Sequence, residues 1–287
     1  MADKIIIEAY GRTDEELATL PIALRADILR GQTLLVSGAG GGIGKAVAYW
    51  AARLGAGVVI CGRDAGRLQA TAEGLRALGA EVLAQPASIR DPEQVAALFD
   101  AASERFGSID ILVNNAGGQF PQAAIDFSVK GWNAVIDTNL TGSWHMMQAA
   151  ARRWRDAGRP GSIVNIVTVI WRGMPGIAHT CAARAGVIYL SKTLAVEWAP
   201  LNIRVNCVAP GVISTDGMKV YPDEARREMP NTNPMKRFGQ VEDVADMVCY
   251  LGGPSGRFVT GEVVTVDGGA QLWGDQWAIP KPDYFRV

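Results

Sequence analysis

Two stretches of this 287-residue chain carry residue types and spacings that do chemistry. The first is Ser37-Gly38-Ala39-Gly40-Gly41-Gly42-Ile43-Gly44. It follows the apolar run Thr33-Leu34-Leu35-Val36, which reads as a short buried strand, and precedes residues 45–54, whose apolar spacing is helical. A strand, a glycine turn and a helix start bring unpaired N–H groups and the positive end of a helix dipole to one point, so the expected guest is a pyrophosphate. Gly38, Gly42 and Gly44 let the backbone turn tightly and approach that guest; the bland alternative is a tight turn with no ligand. The second stretch is Gly62-Arg63-Asp64, directly after the apolar run 57–61. NAD sites place an acid about 20 residues past the glycines to hold the ribose hydroxyls, and NADP sites replace it and add a cation. Gly62 removes the acid and Arg63 is placed for a phosphate, which favours NADP(H) over NAD(H). The alternative leaves Arg63 in solvent and Asp64 as the cap of the next helix.

The elements that must position these groups alternate. Strands are expected at 57–61, 81–84, 110–113, 161–167, 202–208 and 262–266, with helices at 65–78, 91–106, 128–153, 181–199 and 241–251. Such alternation predicts one α/β domain with a doubly wound parallel sheet, and Ile111-Leu112-Val113 and residues 163–167 are apolar enough for strands buried on both faces. In that architecture a ligand lies at the carboxyl ends of the strands, near the switch in strand order. Residues 1–30 break the pattern and read as an appended arm on the domain or on a neighbour, with short helices at 14–17 and 23–29 around Pro21. The domain proper spans 31–270, and an aromatic tail covers 271–287.

Composition narrows the partners. With 28 basic and 29 acidic side chains there is no electrostatic footprint for nucleic acid or an anionic membrane, so small molecules and copies of itself are expected. Cys61, Cys181, Cys207 and Cys249 have no metal or disulfide spacing, which suits a reducing cytoplasm. No apolar run approaches the roughly 20 residues of a membrane span, and the N-terminus does not read as a secretory signal.

Further motifs follow in order: Asn114-Asn115-Ala116-Gly117 after the fourth strand, Asn139 after the next helical stretch, and Pro210-Gly211-Val212-Ile213-Ser214-Thr215 after the sixth. With the glycine turn they resemble the short-chain dehydrogenases/reductases over roughly residues 31–270. The resemblance implies a three-layer Rossmann fold, a homodimer or homotetramer, and hydride transfer to or from a nicotinamide. It implies cofactor contacts from Ser37, Gly38, Gly42, Ile43, Gly44, Ala116, Gly117, Pro210, Gly211 and Ile213, from Asn114 on the adenosine side, and from Thr215 at the carboxamide. Ser88 falls where the family often has Asp or Asn against the adenine.

At the catalytic positions the chain departs from that pattern. The family uses a Ser after the fifth strand and a Tyr-x-x-x-Lys at the next helix, where the ammonium favours the tyrosinate. Here Thr168 stands at the Ser position, Thr180 at the Tyr position and Arg184 at the Lys position, beside a retained Asn139. Arg184 can hold the nicotinamide ribose, but a guanidinium stays protonated and cannot relay protons. Thr180 offers a hydroxyl or, alternatively, a helix N-cap. His179 is the one neighbour whose ordinary pKa, about 6.5, suits general acid work at neutral pH; its alternative is a structural role. His145, in Trp144-His145-Met146-Met147, reads as packing or an oligomer contact.

Asn114 to Phe120, Lys130-Gly131-Trp132, residues 138–142 and Ala182-Ala183-Arg184-Ala185-Gly186-Val187 resemble the peroxisomal trans-2-enoyl-CoA reductase branch, close to the dienoyl-CoA reductases. That implies hydride delivery to the β-carbon of a conjugated thioester, a reaction that tolerates loss of a tyrosine acid because the protein mainly polarises the carbonyl. Trp171-Arg172-Gly173-Met174-Pro175-Gly176 is similar to bacterial citronellol or citronellal dehydrogenases, which makes a terpenoid or other hydrophobic alcohol or aldehyde the alternative substrate. The chain ends Phe285-Arg286-Val287, without a Ser-Lys-Leu peroxisome address. A third reading is a nucleotide-binding protein with non-redox or lost activity. Substrate specificity is expected from residues 212–237, a long connection with Met218, Val220, Tyr221, Met229 and Met235, in which Tyr221 offers a replacement phenol. Trp273, Trp277, Tyr284 and Phe285 in the tail are expected to cover a subunit interface or the pocket mouth.

Overall fold

A computed structural model describes residues 11–272; residues 1–10 and the tail aromatics from Trp273 onward lie outside them. Seven strands form one parallel sheet in the order β3-β2-β1-β4-β5-β6-β7: β1 Thr33–Ser37, β2 Gly57–Gly62, β3 Val82–Pro86, β4 Ile111–Asn114, β5 Gly161–Ile166, β6 Ile203–Pro210 and β7 Val263–Val266. Strand order reverses beside β1, whose other neighbour is β4, so the two strands diverge at their carboxyl ends and open a crevice there. Helices are α1 Asp14–Thr19, α2 Gly42–Arg53, α3 Ala65–Ala77, α4 Pro92–Phe106, α5 Val129–Ile136, α6 Gly142–Asp156, α7 Ala178–Glu197, α8 Asp223–Glu228 and α9 Val241–Gly252.

The pleat divides the core between the two faces. Leu34 and Val36 of β1 meet Trp50 and Tyr49 of α2 and Val244 and Val248 of α9. Leu35 between them points the other way, into Leu98 and Phe99 of α4 and Met146 and Trp154 of α6. Local chemistry sets the helix starts: the Asp64 carboxylate accepts from Arg67 N at 3.0 Å, and the Asp91 carboxylate accepts from Glu93 N at 3.0 Å ahead of Pro92.

Two elements differ from the periodicity. The helix expected over 128–153 is α5 and α6 joined through a π-turn at Asp137–Thr141, one extra residue in the spiral that re-aims Asn139. Residues 23–29 form turns, being too few between Pro21 and Gly31 to sustain a helix alone. The described part of the arm, residues 11–30, lies on its own domain. Leu17 and Leu29 are buried in the α2 face of the core, Arg53 Nη1 donates to Leu17 O at 3.0 Å, and Lys45 pairs with Asp14. Leu29→Ala is therefore expected to lower unfolding free energy by about 2–5 kcal/mol in urea titrations; an unchanged midpoint would mean that residues 11–30 are not part of the core.

Candidate active site

The site begins with how the ends of β1 and β4 are tied. The Ser37 hydroxyl accepts from Asn115 N at 3.1 Å and Ala116 N at 3.0 Å, and the Asn115 amide donates to Ser37 O at 3.0 Å and Gly38 O at 3.2 Å. Glycine is required twice for this. Gly38 has φ +70°, and a Cβ there would lie 2.8 Å from Ala116 Cα; a Cβ on Gly44 would lie 2.6 Å from Gly38 O and strike the Asn115 amide. The turn thus leaves the first N–H groups of α2 facing the crevice with no helical acceptor. These residues fit a dinucleotide: a cradle that side chains would fill, at the positive end of a helix.

Two adjoining cavities open from the turn. The larger, about 610 Å³, runs past Gly38, Gly42, Arg63, Ser88 and Ala116; the smaller, about 340 Å³, is walled by Thr168, Thr180, Arg184, Pro210, Gly211 and Tyr221. Ile43, Asn115, Gly117 and Thr215 border both, so one elongated ligand can pass from one to the other. Three predicted contacts sit behind the wall instead. Ser37 and Gly44 shape the turn, as described. Asn114, directed inward as the last residue of β4, donates to Asn165 Oδ1 at 2.8 Å, and Asn115, the first residue beyond the strand, takes the wall.

Arg63 is exposed at the far end of the larger cavity, and sequence reasoning missed its two companions. Arg67 Nε donates to Gly40 O at 3.1 Å, laying its guanidinium over the glycine turn, and Arg90 pairs with Asp137 at 3.2 Å. Both line the cavity with Arg63. Arg67, in the first turn of α3, follows Arg63 by four residues, a spacing visible in the sequence; Arg90 arrives from the loop after β3 and carries no local signal.

In the smaller cavity Arg184 Nη1 donates to Ile166 O at 2.9 Å. Burial pulls the Arg184 pKa down to about 10, so it remains a cation at neutral pH. Asn139, buried on the π-turn, does not reach the cavity: its amide grips Gly118 through N–H and C=O, both at 3.0 Å, and so positions the wall. Thr168 faces the cavity with a long 3.4 Å contact to Pro210 O. Thr180 does not cap α7, which begins at Ala178; its hydroxyl is buried at the cavity wall without a partner among the described residues. Tyr221 lines the cavity and its phenol oxygen accepts from Gln119 Nε2.

His179 corrects the sequence reading. Its ring stacks on Phe127 at 4.4 Å, meets Phe120 edge-on at 4.6 Å, is fully buried and lies outside the cavity. One residue before Thr180 on a helix, it is rotated about 100° from the cavity face. Its Nδ1 accepts from Thr180 N at 2.7 Å, and burial lowers its pKa, so it is a neutral packing residue. His145 is likewise structural, with Nδ1 3.2 Å from Ile89 O. The connection 212–237 packs on itself: Met218, Tyr221, Met229 and Phe238 form a small core, Met218 and Val220 reach the cavity, and Met235 is exposed.

Fold and cavities define a dinucleotide-binding α/β domain. The family profile described as Enoyl-(Acyl carrier protein) reductase matches residues 38–271. A Bacillus subtilis protein named Probable 2,4-dienoyl-CoA reductase is 34% identical over 256 residues, 88% of this chain and 98% of its own. The Staphylococcus aureus 3-oxoacyl-[acyl-carrier-protein] reductase FabG is 36% identical over 84% of this chain and 98% of its own. The solved structure of the citronellol catabolism dehydrogenase AtuB from Pseudomonas aeruginosa is 37% identical, covers 87% of this chain and 98% of its own, and superposes with a TM-score of 0.77. The chain belongs to the short-chain dehydrogenase/reductase family and is an NAD(P)-dependent oxidoreductase. No helix among the described residues is long and apolar enough to cross a membrane.

The lowered His179 pKa has a consequence for stability. A histidine held neutral in the fold contributes fully above its unfolded pKa, about 6.5, and loses that contribution as pH falls toward the folded value. The stability difference between wild type and His179→Gln, measured by urea unfolding, should therefore be largest near pH ~7.5 and shrink below pH ~6.5. A difference constant across that range would contradict the buried neutral ring.

Proposed function

We propose that the chain reduces the conjugated double bond of an apolar acyl substrate such as an enoyl-thioester, with NADP(H) as cofactor. The observation that carries this reading is the content of the smaller cavity: hydroxyl and amide donors from Thr168, Thr180 and Gln119 beside one cation, Arg184, within walls of Val167, Met174, Ile177 and Met218, and no carboxylate or imidazole among the described residues that line it. Donors aimed at one oxygen polarise a thioester carbonyl and stabilise the charge that develops on it. Apolar walls suit an acyl chain and exclude water. When bound, a reduced nicotinamide supplies the hydride. Ile43, Gly117 and Thr215 would hold the nicotinamide half where the cavities meet, Arg184 its ribose, and Ser88 and Ala116 the adenosine half.

The three guanidinium groups of Arg63, Arg67 and Arg90 favour NADP(H), since Gly62 leaves no acid at the end of β2 to take ribose hydroxyls and arginine forks match phosphate geometry. Oxidation of a hydrophobic alcohol is the second reading, favoured by similarity to AtuB. It needs a base, and the His179 imidazole next to Thr180 is locked between aromatic rings. We assign a homodimer or homotetramer, in keeping with Tyr189 and Val196, exposed one heptad apart on α7.

A nicotinamide absorbance screen tests the substrate: trans-2-enoyl-thioesters should oxidise NADPH, whereas turnover restricted to terpenoid alcohols would reverse the assignment. Replacing Arg63 and Arg67 together by Ser should raise KM for NADPH by about 10- to 100-fold for each charge-assisted hydrogen bond removed, with KM for NADH little changed. Equal effects on both nucleotides would remove the phosphate role.

A further inference from the structure

We propose that Tyr221 donates the proton that the altered α7 pair cannot, acting from the 212–237 connection that lines the same cavity. This rests on the reductase reading and names the acid that it lacks. Among the described residues lining the smaller cavity, only Arg184 and Tyr221 carry a titratable side chain. Arg184 stays protonated and is committed to Ile166 O. Thr168 and Thr180 can donate hydrogen bonds, but an aliphatic hydroxyl is a far weaker acid than a phenol, whose ordinary pKa is about 10.

The placement of Tyr221 is built. Its ring is packed with Met218, Met229 and Phe238, which fixes its direction, and the side chain is 4% exposed. Gln119, from the loop after β4, donates its amide N–H to the phenol oxygen, so two loops from different strands meet at the cavity wall. An oxygen that accepts from an amide retains its own O–H as a donor. Burial pushes the Tyr221 pKa up to about 12, with the Gln119 hydrogen bond pulling the other way. The phenol is thus protonated at neutral pH, ready as an acid and poor as a base, which suits reduction and opposes alcohol oxidation.

The step balances within the reductase reaction. With a hydride supplied to the β-carbon, a C–H bond would form there and the π pair would move to give an enolate whose oxygen Thr168 and Thr180 would hold. The α-carbon takes the proton as the Tyr221 O–H bond breaks, since an enolate of a thioester is a stronger base than a phenolate. The Gln119 N–H holds the phenolate oxygen until water returns a proton to it. Hydride, proton and the lost double bond account for two new C–H bonds.

Tyr221→Phe keeps the ring and removes only the acid. With trans-2-enoyl-CoA and NADPH, kcat should fall by about 100-fold or more. NADPH affinity should be unchanged, and the thermal midpoint should move by less than about 4 °C. Calorimetry with the saturated acyl-CoA and no nucleotide should show binding about 3- to 10-fold weaker, as expected when one hydrogen bond is removed. Gln119→Leu, which leaves the phenol in place without the Gln119 N–H, should lower kcat by a smaller factor of about 10. Wild-type kcat in Tyr221→Phe overturns the proposal and leaves the reductase reading standing. A wild-type protein that binds NADPH and oxidises it with no enoyl-thioester overturns that reading and the role of Tyr221 with it.

Discussion

The crevice exists because two strands are tied where they diverge. At the switch in strand order β1 and β4 send their chains to opposite faces of the sheet, and the last backbone groups of each lose their ladder partners. Ser37 and Asn115 replace those partners: one hydroxyl accepts two N–H groups from the far chain, and one amide donates to two carbonyls of the near chain. The tie forces the backbone into the volume that Cβ atoms of residues 38 and 44 would occupy. It also aims the start of α2 at the crevice, so the N–H groups left open at that turn follow from the same four hydrogen bonds.

A buried polar chain beneath the floor carries this order to the smaller cavity. Asn114 of β4 donates to Asn165 of β5, whose own amide donates to Ser191 of α7 at 2.9 Å, and the Cys207 thiol of β6 lies 3.2 Å from the same hydroxyl. Three strands and α7 are thereby held in one register, and a one-residue slip would leave several buried polar groups unpaired. Because α7 is fixed, Thr180 and Arg184, four residues apart, face the cavity together. The charge on Arg184 survives burial, offset in part by the Ile166 carbonyl, and gives the inner cavity its one positive centre among the described residues.

Much of this was legible in the sequence where a local pattern maps onto a local geometry. The parallel sheet and the glycine turn follow from periodicity, the cap at Asp64 was one of two readings of its stretch, and the convergence of Thr168, Thr180 and Arg184 was implied by the family resemblance. What the sequence concealed depends on side-chain direction. Asn114 and Asn115 are neighbours of one type, yet the pleat turns the first into the sheet and the second onto the wall. His179 and Thr180 are neighbours on a helix, and a rotation of about 100° per residue separates packing from site. The contact of Gln119 with Tyr221 and the placing of Arg90 and Arg63 around one cavity join distant loops, which no window of sequence encodes. The π-turn at Asp137–Thr141 was invisible because its apolar spacing differs from an ordinary helix by one residue.

The most direct measurement is calorimetric titration of the folded protein with NADPH, beside a Gly44→Val variant whose added side chain must collide with the Asn115 amide and Gly38 carbonyl. One NADPH bound per chain by the wild type, and binding abolished in a variant that remains folded, is the predicted result. Absence of binding by the wild type to either NADPH or NADH, or undiminished binding by Gly44→Val, would contradict the assignment of the 37–44 turn as the dinucleotide site.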